Sequence, residues 1–411
     1  MTTTRTPSWP GSRRSFLLGA GSLGAAALAA PAWAASTVDL HLPGGPSTRP
    51  LTSEFPGKPN MILQRTRPPL LETPMSVFDQ NVFTPNDRFF VRWHWANIPT
   101  SVDVDAFRLN VRGHVNQEFA INLNWLLTMP RVELAAVNQC SGNSRGLFQP
   151  RVAGGQWAHG AMGNARWVGV SLRHVLDIAG VKPGAVAVRF NGLDEPVVAG
   201  APDFSKSLSI DHARDGEVMI AFQMNGQALP LLNGFPCRLI VPGWYSTYWV
   251  KMLSDIEVLA QPDDGYWMAK AYKIPDTPNA SVAPGAKGFP TVPINHMIPR
   301  AWITNLADGA KVVSQPALPV GGIAMGGDRG VAKVELSADG GRTWTAARLG
   351  RDEGRYSFRR FDGVLPAAKP GALSLMARCT NSAGVTQPMT PNWNPGGFMR
   401  GCVETTEVTV A

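Results

Sequence analysis

Glycine and proline interrupt this chain of 411 residues so often that long helices are scarce. The sequence contains 42 Gly and 35 Pro, and both residue types break regular elements. Between them lie short strand-like runs at residues 108–112, 187–190, 217–222 and 238–241. A few short amphipathic helices interrupt these runs, notably around residues 172–179. The pattern predicts a mixed α+β fold built from short strands and ordered loops.

The length of the chain favours two domains, because 411 residues exceed the usual size of one. Residues 281–290 are dense in Gly and Pro and give the best boundary. Beyond them, two alternating runs flank an Asp-Gly turn at residues 339–340, which indicates a hairpin. More strand-like runs follow at 372–380 and 405–410, and they favour a β-sandwich of the immunoglobulin type. We therefore expect an N-terminal arm (residues 35–72), a first domain (73–284) and a second domain (285–411).

The first 34 residues read as a targeting segment. Arg13 and Arg14 precede a Gly/Ala/Leu stretch that ends in Ala32-Trp-Ala34, an A-x-A cleavage pattern. Twin arginines predict export by the Tat route to the bacterial periplasm. An uncleaved anchor is the alternative, but a spanning helix needs roughly 20 predominantly apolar residues, and this stretch is shorter and rich in glycine.

Charge gives no sign of a nucleic-acid partner. The formal net charge is +8, and removal of residues 1–34, with three arginines and no acid, leaves +5 (35 basic minus 30 acidic residues). Lysine and arginine are spread along the chain, without the aromatic-interleaved basic runs of nucleic-acid-binding proteins. The modest excess would instead steer an anionic substrate towards the protein.

The four cysteines do not form a recognisable metal or haem motif. Cys140, Cys237, Cys379 and Cys402 include no C-x-x-C and no C-x-x-C-H, so we expect no c-type haem in this chain. Cys237 lies in an apolar run and is most simply a core residue. Cys379 and Cys402 fall in the second domain, where an oxidising compartment would allow them to pair.

Cys140 stands in a loop with unusual chemistry. Residues 138–145 read Asn-Gln-Cys-Ser-Gly-Asn-Ser-Arg, so small residues and a nearby arginine surround one thiol. Such donors lower a thiol pKa and hold anions. A buried structural cysteine is the alternative, and no local histidine favours a nucleophile.

The residues around Cys140 resemble the molybdenum-cofactor core of the sulfite oxidase family. The resemblance continues through residues 154–157 and 161–169, and residues 84–94 are similar to that family's first pterin-contacting segment. Residues 224–230, 234–238 and 241–251 resemble the second. The matches run in order from about residue 70 to the C-terminus. The resemblance implies a sulfite-oxidase-type molybdopterin domain followed by an immunoglobulin-like dimerisation domain, and hence a homodimer.

The same resemblance assigns roles to individual residues. Cys140 would supply the protein thiolate to molybdenum, a soft ligand for a redox-active metal. The residues expected to contact the cofactor are His94, Asp194, Arg238 and Lys251. Those expected at the substrate are Arg92, Arg145, Trp157 and Tyr272. Taken singly, each has an ordinary alternative as a surface charge, a turn residue or a core aromatic.

One position departs from the family. Many sulfite oxidases carry a substrate-site arginine in an Asn-Leu-Arg-Gly segment near the C-terminus, whereas Gly396 stands at that place here. Arg400 lies nearby in the sequence. Without that arginine, sulfite would be held by Arg92 and Arg145.

The expected activity is that of a periplasmic sulfite dehydrogenase, which oxidises sulfite and passes electrons singly to an external cytochrome c. Two alternatives keep the cofactor: a periplasmic sulfoxide reductase and the catalytic subunit of a sulfur dehydrogenase. A non-enzymatic alternative is a binding or adhesion protein that retains only the fold.

Overall fold

The computed structural model describes residues 36–366 and 370–411, and the predicted targeting segment lies outside them. Most regular elements in these ranges are strands. The first fifteen strands are β1 (Thr37–Asp39), β2 (Thr48–Thr52), β3 (Met61–Arg65), β4 (Leu70–Glu72), β5 (Val91–Arg92), β6 (Leu109–Gly113), β7 (Phe119–Ile121), β8 (Arg131–Gln139), β9 (Met162–Ser171), β10 (Ala187–Gly192), β11 (Ser205–Ser209), β12 (Met219–Met224), β13 (Gln227–Ala228), β14 (Arg238–Ile240) and β15 (Leu253–Leu259). The remaining strands are β16 (Lys273–Pro275), β17 (Thr291–Pro293), β18 (Arg300–Ile303), β19 (Ala310–Val312), β20 (Ala317–Met325), β21 (Val331–Ser337), β22 (Thr345–Ala346), β23 (Arg348–Leu349), β24 (Arg359–Pro366), β25 (Gly371–Asn381) and β26 (Glu404–Val410).

Helices in the described ranges are short. The α-helices are α1 (Val77–Gln80), α2 (Leu123–Thr128), α3 (Leu172–Ala179), α4 (Ile210–Ala213) and α5 (Tyr266–Ala269). Single 3₁₀ turns occur at Arg145–Leu147, Leu231–Asn233, Ser246–Tyr248 and Pro278–Ala280. Helix α3 has the predicted bounds, and it buries its apolar face because Leu172, Val175, Leu176 and Ala179 recur at helical spacing. It ends at Gly180, whose φ of 65° is readily adopted by glycine.

Three sheets build the part of the fold that contains the candidate site. Their strand orders are β1-β2-β3-β4-β5, then β11-β10-β15-β6-β7, then β13-β12-β9-β8 with β14 paired to β12. Strands β8 and β9 are antiparallel, and their register runs from Arg131 opposite Val170 to Gln139 opposite Met162. The buried residues of the second and third sheets share one large core. This core fixes the point at which the chain leaves β8 and enters the loop of Cys140.

The segment predicted as an arm supplies strands to the first sheet. Strands β1–β4 lie within residues 36–72 and pair in sequence, and β4 pairs with β5 through Leu70 and Arg92. Met61, Leu71 and Trp93 form a small separate core there. Residues 36–411 form one compact unit by their contacts. The proposed domain limits stay a prediction.

The C-terminal part is a two-layer β-sandwich, and the predicted α+β fold followed by a sandwich is confirmed. Its sheets have the orders β18-β20-β24-β23 and β19-β26-β25-β21-β22. Residues of both sheets bury a shared core that includes Val320, Leu336, Phe361 and Leu375. The predicted hairpin forms between β21 and β22.

Among the described residues, no helix has the length and apolar character that a membrane span requires. Cys140, Cys237, Cys379 and Cys402 are all buried and unpaired, so the disulfide allowed for Cys379 and Cys402 is not formed in this structure.

Candidate active site

A cavity lies where the three sheets of the first part meet their connecting loops. Its lining combines one thiol with several cationic and aromatic side chains. The predicted site residues that line it are Arg92, His94, Cys140, Arg238, Lys251 and Tyr272. The predicted residues Arg145, Trp157 and Asp194 are not part of this lining.

Cys140 is held at the point where β8 ends. Its backbone N–H donates to the carbonyl of Ala161 over 2.9 Å, and its own carbonyl accepts the N–H of Asn143 over 2.9 Å. The Asn143 side-chain oxygen accepts the N–H of Ala161 in return. Cys140 is 6% exposed. The antiparallel pair β8–β9 and the loop's own hydrogen bonds thus present a single thiol to the cavity.

Arg92 and His94 reach the cavity from β5 and the residues after it. The Arg92 side chain has a buried Nη1 without a hydrogen-bond partner. Burial lowers the pKa of His94 well below its ordinary value, and Arg92, Lys251 and Lys206 lower it further by repulsion. His94 is therefore an uncharged imidazole at neutral pH.

His94 and Tyr272 form one unit. The His94 Nε2 and the Tyr272 hydroxyl oxygen are 2.5 Å apart, and the His94 ring also stacks on Phe204. Tyr272 has φ 53°, a backbone conformation that residues other than glycine rarely adopt. Its ring stacks on Phe398 at 5.4 Å between centroids. Burial raises the pKa of Tyr272, although Arg92 opposes that rise, so the phenol stays protonated at neutral pH.

Arg238 and Lys251 place two further positive groups at the cavity. Arg238 Nη1 donates to the carbonyl of Asn233 and Nη2 to that of Trp249, at 2.8 and 3.1 Å. Burial lowers the pKa of Arg238 to about 9. Burial also lowers the pKa of Lys251, and the nearby carboxylate of Asp194 acts in the opposite direction.

Asp194 and Trp157 are buried and do not line the cavity. Asp194 is 4% exposed, and its pKa is raised by burial while Lys251 lowers it. Asp194 therefore acts on the cavity through Lys251. Trp157 is 1% exposed and belongs to the large core. Its assignment as a wall of the substrate pocket stays a prediction.

Arg145 is buried beside the cavity, and two of its guanidinium nitrogens are hydrogen-bonded to the protein. Its Nε and Nη2 donate to the Gly396 carbonyl over 3.3 and 3.1 Å, and its guanidinium lies 5.1 Å from the Phe398 ring centroid. A Cβ at Gly142 would lie 2.6 Å from the Arg145 guanidinium carbon. The glycine of the Cys140 loop thus makes room for this arginine.

Residues of the C-terminal sandwich form hydrogen bonds with the Cys140 loop. Arg300 Nη1 and Nη2 each donate to the Ser144 hydroxyl over 3.1 Å, and Nη2 also donates to Glu404. Arg400 donates to both carboxylate oxygens of Glu404 and to the carbonyl of Leu147. Arg400 does not line the cavity, and its guanidinium is instead bound to Glu404.

Several buried polar atoms of the cavity lining have no hydrogen-bond partner among the described residues. They are Arg92 Nη1, Arg238 Nε, Asn138 Nδ2 and Asn233 Oδ1. Buried polar atoms are nearly always hydrogen-bonded, and most of these atoms are donors. Their arrangement is suited to a polar ligand with negative charge.

The comparisons with known proteins agree with this chemistry. Residues 95–267 match the family described as an oxidoreductase molybdopterin binding domain, and residues 292–410 match a Mo-co oxidoreductase dimerisation domain. Sulfite oxidase of Gallus gallus is 31% identical over 378 residues, which are 87% of this chain and 80% of that protein. The chain belongs to the sulfite oxidase family of molybdenum enzymes.

One further relative and one solved structure show how far the similarity extends. Mitochondrial sulfite oxidase of Homo sapiens is 33% identical over 358 residues, which cover 83% of this chain but only 64% of the human protein. The sulfane dehydrogenase SoxCD from Paracoccus pantotrophus has a TM-score of 0.70, 24% identity and 87% coverage of both chains. At that identity the likeness shows a shared fold.

The residues of the site fit the cofactor of the sulfite oxidase family. A protein thiolate is a soft ligand for molybdenum, and Cys140, the thiol that lines the cavity, would supply it. Within residues 36–366 and 370–411 no group of three or more His, Cys, Asp or Glu side chains is arranged to bind a metal. The unpartnered donors of Arg92, Arg238 and Asn138 would bind the anionic pterin.

Sequence reasoning missed other residues of the cavity lining. Asn138, Asn233, Ser246 and Thr247 lie in or next to the segments that carry the family resemblance, so the motifs already pointed towards them. Phe204 also lines the cavity, but residues 196–206 have no recognisable motif.

Proposed function

We propose that this protein oxidises sulfite to sulfate at a molybdenum–pterin centre. The observation that carries the proposal is a single buried thiol, Cys140, in a cavity with the cationic side chains of Arg92, Arg238 and Lys251. The reaction takes sulfite and water to sulfate, two electrons and two protons. The bound molybdenum centre would accept the two electrons and release them one at a time.

The protein's own part is to hold the anion and handle the protons. Arg92 and Arg145 would attract sulfite and neutralise its charge. The neutral His94 and the protonated Tyr272 share a hydrogen bond of 2.5 Å, so a proton can pass between them without creating a buried net charge.

The proposal extends to the electron acceptor, the cellular location and the oligomeric state of the protein. The sequence has no C-x-x-C-H, and we propose an external c-type cytochrome as the acceptor. The twin arginines Arg13 and Arg14 support Tat export to the periplasm. The match to a dimerisation domain at residues 292–410 supports a homodimer.

The test is molybdenum content together with sulfite-dependent reduction of cytochrome c, compared between wild type, Cys140→Ser and Cys237→Ala. Cys237 is buried and unpaired like Cys140 but does not line the cavity, so its variant controls for loss of a buried thiol. We expect turnover in wild type and Cys237→Ala, and none in Cys140→Ser. Molybdenum-loaded wild type that reduces neither cytochrome c nor ferricyanide with sulfite would overturn the proposal. Sulfoxide turnover, or a requirement for sulfur-carrier proteins, would then favour the alternatives.

A further inference from the structure

Lys206 is an ammonium group enclosed by the protein next to the candidate site. Strand β11 places it inward, and the residue is 0% exposed. Its Nζ donates to one partner only among the hydrogen bonds of the described residues, the carbonyl of Trp267 at 2.7 Å. A buried lysine with so little compensation is costly for a fold to retain.

A carboxylate does not neutralise Lys206. In the described part of the chain no Asp or Glu oxygen lies within ion-pair distance of its Nζ. Asp263 is the acid that opposes the effect of burial, but its own side chain accepts from Ser207 and lies 3.8 Å from Arg189. Burial lowers the pKa of Lys206 to about 7.

Lys206 instead faces two tyrosine rings, one of them in the site. Its Nζ lies 4.7 Å from the ring centroid of Tyr248 and 5.5 Å from that of Tyr272. Aromatic faces attract cations. The Tyr272 hydroxyl is bonded to His94, and both residues line the cavity. The charge of Lys206 therefore lies next to the Tyr272 ring and close to the cavity that His94 and Tyr272 line.

We propose that Lys206 is a further positioning residue of the site, whose enclosed positive charge behind Tyr272 raises the affinity for sulfite and sulfate. The inference rests on the proposed function. Other titratable groups act on the same region: His94, Tyr248, Asp263, Tyr272 and Lys273. Arg92, Arg145 and Lys251 are further charges that act on Tyr272 or His94. Lys206 differs from them because its Nζ faces the Tyr272 ring at 5.5 Å from the centroid.

The experiment measures inhibition of sulfite turnover by sulfate as a function of pH. Sulfate stays a dianion between about pH 6 and about pH 8, so a change in its affinity reports on the protein. The variants are Lys206→Met and Lys206→Arg, with Lys58→Met as control. Lys58 is also buried, and its pKa is also lowered to about 7 by burial, but its Nζ donates to the carbonyls of Asn86 and Phe89 instead of facing Tyr272.

In wild type and Lys58→Met, we expect sulfate affinity to fall as Lys206 loses its proton through about pH 7. Lys206→Arg should bind sulfate as tightly as wild type at low pH and should lack that part of the fall. Lys206→Met should bind sulfate about 10-fold more weakly at low pH, the effect of one nearby charge at an intermediate dielectric. Thermal unfolding of each variant checks the fold.

Different failures are distinguishable. Wild type without sulfite turnover refutes the proposed function itself. Wild type that turns over sulfite, with the same pH profile for sulfate in wild type and Lys206→Arg, refutes the role of Lys206. Equal sulfate affinity in wild type and folded Lys206→Met refutes it as well. If Lys206→Met does not fold, the comparison with Lys206→Arg decides.

Discussion

The Tyr272 hydroxyl oxygen and the His94 Nε2 are 2.5 Å apart, although 178 positions separate the two residues in the chain. His94 follows strand β5, and Tyr272 lies between α5 and β16 with φ 53°. Strained backbone of this kind persists where the surroundings hold it in place. Here the stacking of Tyr272 on Phe398 and its contact with His94 hold the phenol at the cavity.

Tyr272→Phe removes the hydroxyl but keeps the stacked ring. Because proton exchange with His94 is lost, we expect kcat for sulfite to fall about 100-fold, within the usual range for a general acid or base. Tyr266→Phe is the control, since Tyr266 is 51% exposed and does not line the cavity. Steady-state and single-turnover kinetics measure the change. Equal rates in both variants would show that the His94–Tyr272 bond has no part in turnover.

Gly142→Ala tests the placement of Arg145. The new methyl group would lie 2.6 Å from the guanidinium carbon, so the guanidinium has to move. If Arg145 holds sulfite, KM rises by about 10-fold, the loss expected for one charged hydrogen bond, and kcat changes less. The control is Gly330→Ala, where a Cβ would meet only Ser382 Oγ at 4.0 Å. An unchanged KM in Gly142→Ala would remove Arg145 from the substrate site.

Lys251→Met tests the cationic side of the cofactor site. Lys251 makes no hydrogen bond or ion pair among those of the described residues and contacts the Trp93 ring at 4.3 Å, and methionine keeps an apolar stem against that ring. We expect pterin and molybdenum content to fall after gel filtration, while thermal unfolding of the apoprotein changes little. Lys251→Arg should retain most of the cofactor. Full cofactor content in Lys251→Met would contradict the assignment.

Glu404 gives the clearest pH dependence of stability. Burial alone would raise the pKa of Glu404, but Arg400, His159 and Arg300 lower it from about 4.5 to about 2. The folded pKa is below the unfolded one, so the stabilisation is present above about pH 4.5 and disappears as pH falls towards about 2. Glu404→Gln should lower the free energy of unfolding by about 3 kcal/mol at neutral pH.

Urea unfolding at pH 7 and in acid measures this difference, which should shrink at the lower pH. Asp362→Asn is the control, because the Arg348–Asp362 pair has exposed side chains and exposed pairs contribute little. A difference between wild type and Glu404→Gln that does not depend on pH would show that the Glu404 charge is not the cause.

The sequence predicted those parts of the site that lie in continuous motifs. Arg92, His94, Cys140, Arg238 and Lys251 occur in segments whose order and spacing resemble one family, and the structure brings them to one cavity. Helix α3 was predictable because its four apolar residues recur at helical spacing. The hairpin β21–β22 was predictable from its Asp-Gly turn.

Other features were beyond the reach of the sequence, for physical reasons. Lysine is almost always solvated, and the alternation Ser-Lys-Ser-Leu-Ser of β11 does not reveal that Lys206 is enclosed. Phe398 meets Tyr272 and Arg145 only after a remote segment folds onto the site. Strands β1–β4 are three to five residues long, too short to show a periodicity.

The support of Ser144 by Arg300, which Glu404 holds in turn, has a consequence for biosynthesis. Ser144 follows Cys140 by four positions, but Arg300 is 156 positions further along the chain than Ser144, and Glu404 begins the last strand. When only the first 300 residues have been synthesised, the nascent chain contains the Cys140 thiol but not the Glu404 carboxylate that holds Arg300. The Cys140 loop therefore reaches its supported form only after Glu404 has been synthesised, and stable insertion of a metal centre would have to follow that point.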